Sequence, residues 1–357
     1  IVRPHAHAYM LSTGHLSEPG EDYNGNLSVV ASRRLLREQA ALNREGLETQ
    51  GIFHHFHEER PHQAVAAILG PDGTPYSRSP YLFEFTFPNT YPIKPPHARL
   101  LTGDGRVRFN PNLYVNGKVC LSILGTWAGP SWTSLTTFRT VLLSIQSLLC
   151  ANPLQNEPGH EHETGSDCEL YAAMVRYESL AVSALQLGRT LPPSCEPLRA
   201  LLGGIFLCNY PVYCEILAGY SCCEGSRDRC PLYGFVTKYA PSLVKGQLDD
   251  LQASLLHQPD AVRMAEELRH NALPLCLPEP EPVAVADIES VGSDISPLQG
   301  GGAPHGAVHV AHGLWRVGPA ARRFLCRCCL VTLVASGIGS AVALAITMAE
   351  NSLSRGR

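Results

Sequence analysis

Four short runs rich in aliphatic and aromatic residues, at 52–58, 63–69, 81–87 and 97–101, limit the fold more than anything else in the chain. They are punctuated by Pro61, by Gly70-Pro-Asp-Gly73 and by the proline-rich stretch 91–96. Parallel neighbours need a crossover of a dozen or more residues, usually helical, so connections this short and turn-like dictate an antiparallel meander. Ahead of the strands, Val29, Val30, Leu35, Leu36 and Ala40 recur at helical spacing over 27–46, with Arg33, Arg34, Arg37 and Glu38 between them as a charged face. Asn26 or Ser28 caps this helix and Gly46 ends it. Behind the strands, 141–149 and 168–187 carry helix-spaced apolar residues, and 243–270 reads as a helix pair broken at Pro259. The class is therefore α+β, with a four-stranded antiparallel sheet, flanking helices and a helical C-terminal extension.

Between the last strand and the next helix lies Asn110-Pro-Asn-Leu-Tyr-Val-Asn-Gly-Lys-Val-Cys120-Leu-Ser-Ile-Leu124. Asn116 and Gly117 supply a turn, and Lys118 places a positive charge beside Cys120. A free thiol has a pKa of about 8.5, so a nucleophilic cysteine is expected in a polar, partly exposed setting. Asn112 carries an amide NH2 able to donate to a developing oxyanion. Taken alone, a single cysteine in a loop reads more simply as small apolar filler.

The order and spacing of the motifs change that weighing. The Asn110-Pro-Asn112 tripeptide eight residues before Cys120, the upstream Phe87-Pro-Asn-Thr-Tyr91-Pro92-Ile-Lys-Pro95-Pro96, and the later Trp132 and Ser144-Ile-Gln-Ser-Leu-Leu-Cys150-Ala-Asn-Pro closely resemble ubiquitin-conjugating enzymes. Most members of that family begin the tripeptide with histidine. The asparagine here, the long loop through Trp127 to Trp132 and Asn156-Glu-Pro-Gly159 resemble the Z-type subfamily. The likeness covers roughly 28–215 and is strong over 68–159. It implies the ubiquitin-conjugating fold, with Cys120 accepting ubiquitin or a ubiquitin-like protein as a thioester from an activating enzyme and passing it to a substrate lysine. It implies that Asn112 stabilises the oxyanion or positions the loop, and that Asn156 or Glu157, depending on the gap chosen, occupies the place of an acidic gate. Ile93 and Trp132 lie where family members touch ligases, and the first helix where they dock the activating enzyme. The resemblance calls for no cofactor and no metal. The rival reading is a catalytically inactive binding or membrane-scaffold protein that kept the fold.

A chain of 357 residues has room for extensions around such a core, and its formal charge of −4 gives no reason to expect nucleic acid. The expected division is a flexible lead-in at 1–26, a conjugating core at 27–188, a helical extension at 189–273, a disordered linker at 274–321 and a membrane anchor at 322–357. Thirteen unevenly spaced cysteines in so long a chain suit cytosolic thiols better than a disulfide scaffold. Cys208, Cys214, Cys222, Cys223 and Cys230 lack the paired C-x-x-C spacing of structural zinc sites, and His54, His55, His57 and His62 read as exposed strand residues.

Residues 328–349 are uncharged and follow Arg322, Arg323 and Arg327. As a helix they would reach about 33 Å, enough for a hydrocarbon layer of about 30 Å. Their position suggests a tail anchor that keeps the catalytic domain on the basic, cytosolic side. An interfacial or core helix is the plainer alternative, because the run is rich in Ala, Gly, Ser and Thr.

Overall fold

The computed structural model describes residues 27–189 and 191–271, together with Tyr23 and Gly25. Nearly all of the expected lead-in, and all of the linker and anchor, lie outside the described residues. The first helix, α1 (Val29–Glu45), starts where the Ser28 hydroxyl accepts the Ala31 amide at 3.1 Å and stops at Gly46 in the left-handed region. It leads into β1 (Ile52–Phe56), β2 (Gln63–Leu69), β3 (Pro80–Thr86) and β4 (His97–Leu100), which pair antiparallel in that order. Ala66 sits opposite His54 on one side and Phe83 on the other, and Phe83 faces Leu100.

Helix α2 (Phe138–Leu148), capped by Thr137, crosses the sheet. Its Phe138 meets Phe85, Phe87 and Phe56 edge-on at centroid distances of 4.8, 5.2 and 5.6 Å. The meander has no wet face along β2, where every residue from Ala64 to Leu69 is buried. The segment Pro193–Leu198 packs against β2. In addition, Ser183 and Gln186 donate to the Pro80 carbonyl at 2.6 Å each. Burial on both faces accounts for a strand that reads Ala-Val-Ala-Ala-Ile-Leu rather than alternating apolar and polar.

One charge expected on a solvated face is instead buried. The Glu38 carboxylate accepts the Tyr91 hydroxyl at 2.8 and 2.9 Å and the Phe138 amide at 2.7 Å, and pairs with Arg34. A carboxylate at the first amide of α2 is favoured by the helix dipole. Glu38 therefore ties α1, the proline-rich turn and α2 together.

The helix expected over 168–187 is α3 (Ser166–Glu178), continued by a π turn at Ser179–Ser183 and a 3-10 turn at Ala184–Gly188. At the changeover the Ser179 hydroxyl donates to the Val175 carbonyl at 2.7 Å and meets the Tyr81 hydroxyl at 2.7 Å. Three further α-helices follow among the described residues. They are α4 (Arg199–Ala218), α5 (Pro241–Leu256) and α6 (Pro259–His270), the last two divided at Pro259 as the sequence suggests. Helices α4 and α6 touch through Gly203 and Gly204. A Cβ at Gly203 would come within 2.7 Å of the Ala261 Cβ, and one at Gly204 within 2.7 Å of the Met264 Cγ. Among the described residues, Pro193–Ala218 is the one helical stretch long and apolar enough to cross a membrane, but 56% of its apolar window is buried inside the protein. It packs as a core helix. Between α4 and α5 a small hairpin pairs β5 (Arg227–Arg229) with β6 (Val236–Lys238).

Candidate active site

The turn that carries Cys120 is pinned on every side by hydrogen bonds. The Cys120 amide donates to the Asn112 carbonyl at 2.8 Å, and the Asn112 Nδ2 donates back to the Cys120 carbonyl at 2.8 Å. Asn110 makes the neighbouring node. Its Oδ1 accepts the Asn112 amide at 3.0 Å, while its Nδ2 donates to the Leu148 carbonyl at 2.8 Å and to the Tyr76 hydroxyl at 3.0 Å. A buried amide with both ends satisfied rigidifies what it touches. Gly117 closes the turn against β4: its φ is +87°, its carbonyl accepts the Leu100 amide at 2.8 Å, and a Cβ there would stand 2.7 Å from the Leu100 oxygen.

Cys120 itself is 1% exposed, not partly exposed as its chemistry led us to expect. Burial raises the thiol pKa above its ordinary value, and Lys118, the Tyr114 side chain and Arg108 pull it back down. The Arg108 guanidinium lies over two rings, 3.9 Å from the centre of Tyr114 and 4.3 Å from that of Tyr233, and its Nη2 donates to the Pro111 carbonyl at 2.6 Å. Cation–π contacts of this kind contribute about 0.5–2 kcal/mol depending on burial. Arg108 and Tyr114 flank or lie within the cysteine motif, so nearness to Cys120 was the available signal. Tyr233 lies more than a hundred residues downstream in the β5–β6 hairpin, where no pattern in the sequence marks it.

The structure places the two gate candidates differently. Asn156 turns inward, its Nδ2 donating to the Leu148 carbonyl at 3.1 Å and to the Asn110 Oδ1 at 3.4 Å. Glu157 is half-buried and accepts the Tyr233 hydroxyl at 2.7 Å. The two residues expected at a ligase surface also differ. Ile93 is 73% exposed, whereas Trp132 is half-buried, donates its indole N–H to the Pro92 carbonyl at 2.7 Å and rests against Tyr91. Packing accounts for much of Trp132. Leu135, three residues on, is 88% exposed and was not singled out by the sequence.

A family model described as "Ubiquitin-conjugating enzyme" matches residues 34–178, a segment that contains the whole sheet, the Cys120 turn, α2 and α3. Over those residues the chain is similar to the ubiquitin-conjugating enzyme family. The human protein named "Ubiquitin-conjugating enzyme E2 Z" is 47% identical over 150 residues, 42% of this chain and 42% of its own length. Its Xenopus tropicalis namesake is 45% identical over 150 residues, 42% of this chain and 48% of its own length. The human "Dual E2 ubiquitin-conjugating enzyme/E3 ubiquitin-protein ligase BIRC6" is 41% identical over 160 residues, 43% of this chain and 3% of its own length. The chain thus spans less than half the length of the E2 Z relatives it matches. The β5–β6 hairpin, which brings Tyr233 to Glu157 and Arg108, lies beyond the matched conjugating domain.

Proposed function

We propose that this protein conjugates ubiquitin or a ubiquitin-like protein to lysines. The Cys120 thiolate attacks the carbonyl carbon of the activating enzyme's thioester and the activating enzyme's thiolate leaves. The modifier then rests on Cys120 until an uncharged substrate lysine amine attacks the same carbonyl, the tetrahedral oxyanion collapses, the Cys120 thiolate leaves and the nitrogen gives its extra proton to solvent, leaving an amide. ATP is spent by the activating enzyme, so this chain needs no cofactor, and a ligase brings the protein substrate. Of the two gate candidates, Glu157 is the one whose carboxylate is free of the inward asparagine network, and it takes the gate role. Ile93 contributes to the ligase surface.

The observation that carries this reading is a cysteine held on a turn fixed by Asn110, Asn112 and Gly117, inside a segment that a ubiquitin-conjugating enzyme family model matches. Incubation with activating enzyme, ATP and candidate modifiers should give an adduct on a non-reducing gel that added thiol removes. If no modifier is ever accepted, the reading fails and a non-catalytic scaffold takes its place.

We further propose that residues 328–349 tether the catalytic domain to an intracellular membrane with Cys120 in the cytosol. The support is an uncharged run of spanning length with three arginines just before it. Activating enzyme, ATP and a reducing pool that keeps Cys120 as a thiol are all cytosolic. Deleting 324–357 should move the protein from the carbonate-resistant pellet to the soluble fraction while leaving thioester formation intact. Full-length protein that is released by carbonate, or Cys120 protected from protease in sealed vesicles, overturns the tether.

A further inference from the structure

The hairpin that follows α4 reaches back to the active site. Its base is held by an ionic node in which the exposed Arg106 donates to both oxygens of buried Glu178 at 2.9 Å and to the Val236 carbonyl at 2.6 Å, and Thr237 donates to Glu178 at 2.9 Å. Its tip folds on itself through the Cys230 amide to Phe235 carbonyl bond at 2.8 Å and the Gly234 amide to Cys230 carbonyl bond at 2.9 Å. Phe235 and Cys230 are buried in the conjugating core, and the rings of Tyr233 and Tyr171 pack edge-on at 5.6 Å. A tip secured at both levels presents Tyr233 in one orientation.

Tyr233 then touches both arms of the site. Its hydroxyl donates to Glu157 at 2.7 Å, and its ring lies under the Arg108 guanidinium. Arg108 also lies over the Tyr114 ring, and the Tyr114 amide and carbonyl close the Cys120 turn through Lys118 and Gly117 at 3.0 and 2.9 Å. We infer that Tyr233 is a positioning residue for the lysine-transfer step: its hydroxyl fixes the Glu157 carboxylate, and its ring fixes the Arg108–Tyr114 stack beside Cys120. The active site is thereby completed by the extension, and a chain cut after the conjugating domain would load a modifier onto a site whose gate is loose. This inference rests on the conjugating reading of Cys120 and on Glu157 as the gate.

Tyr233→Phe keeps the ring under Arg108 and removes only the hydroxyl. In single-turnover discharge of the charged protein to free lysine it should be about tenfold slower than the parent, the order expected for losing one charge-assisted hydrogen bond, with a smaller effect on loading. The decisive readout is coupling. In a Glu157→Ala background, adding Tyr233→Phe should slow discharge no further, because the carboxylate it positions is gone. Tyr233→Ala should also raise the iodoacetamide alkylation rate of Cys120 several-fold, read by peptide mass spectrometry, while buried Cys195 stays protected and so reports an intact fold. Parental discharge by Tyr233→Phe, or a slowing that adds in full to that of Glu157→Ala, overturns the role while leaving the conjugating reading in place. A parent that never charges overturns both.

Discussion

Cys120→Ala will form no thiol-sensitive adduct with any modifier that the parent accepts, and Cys120→Ser will form one that thiol does not remove. The second half of this expectation follows from replacing a thioester with an oxygen ester, which exchanges with thiols far more slowly. The result is not trivial in a protein with other reachable thiols. Cys222 is exposed, and Cys150 and Cys214 are partly so, whereas Cys120 is 1% exposed. Among the described residues, reactivity ranked on accessibility alone would choose Cys222. The argument for Cys120 is positional, since its backbone is clamped to Asn112 in both directions and Lys118 and Arg108 favour its thiolate against burial. Because burial nevertheless leaves the thiol above its ordinary pKa, the thiolate fraction at neutral pH is small, and the loading rate should climb about tenfold per pH unit until that pKa is passed. A pH-independent loading rate, or a Cys120→Ala protein that charges like the parent, would assign the nucleophile elsewhere.

What the sequence made legible follows the range of each interaction. The four strands, the Ser28 cap and the break at Pro259 are local, set by residues within a few positions of one another. The Cys120 turn was also readable, because Asn116-Gly117 and the Asn110–Asn112 pair act across ten residues. Helix α4 lies in the expected helical extension, but its bounds were not readable, since Gly203, Gly204 and Pro211 are helix-breaking residues by propensity and its apolar residues run around the whole cylinder. Those glycines make sense only once Ala261 and Met264 lie on top of them. Glu38 failed for the same reason, as a charge four residues from an arginine on a helix looks solvated until Tyr91 and the amide of Phe138 arrive from fifty and a hundred residues away. The β5 strand, Arg-Asp-Arg, has no strand propensity and forms because β6 and the Arg106–Glu178 node hold it. Tyr233 inherits its place from that hairpin.

Asn112→Ala should slow transfer to lysine about 10²-fold, a loss of about 2.7 kcal/mol of transition-state stabilisation, and the structure bears on how that loss will be shared between steps. In the uncharged protein the Asn112 amide is already used, its Nδ2 donating to the Cys120 carbonyl at 2.8 Å. The side chain is 5% exposed, so its NH2 is held against the cysteine backbone rather than displayed to solvent. An NH2 has two hydrogens, and the second remains for an oxyanion forming at the thioester carbon. If that second hydrogen does the work, Asn112→Ala loads near the parental rate and discharges slowly. If the bond to the Cys120 carbonyl does it, the turn loosens, loading and discharge slow together, and Cys120 alkylates faster in the uncharged variant. Asn112→Asp separates the two further, because it keeps the size of the side chain and replaces the donor with a carboxylate facing a carbonyl. Parental kinetics in both steps for Asn112→Ala would remove the residue from the site altogether. Such an outcome would leave the paired Asn112–Cys120 hydrogen bonds as fold stabilisation alone, at a net contribution of about 1 kcal/mol each.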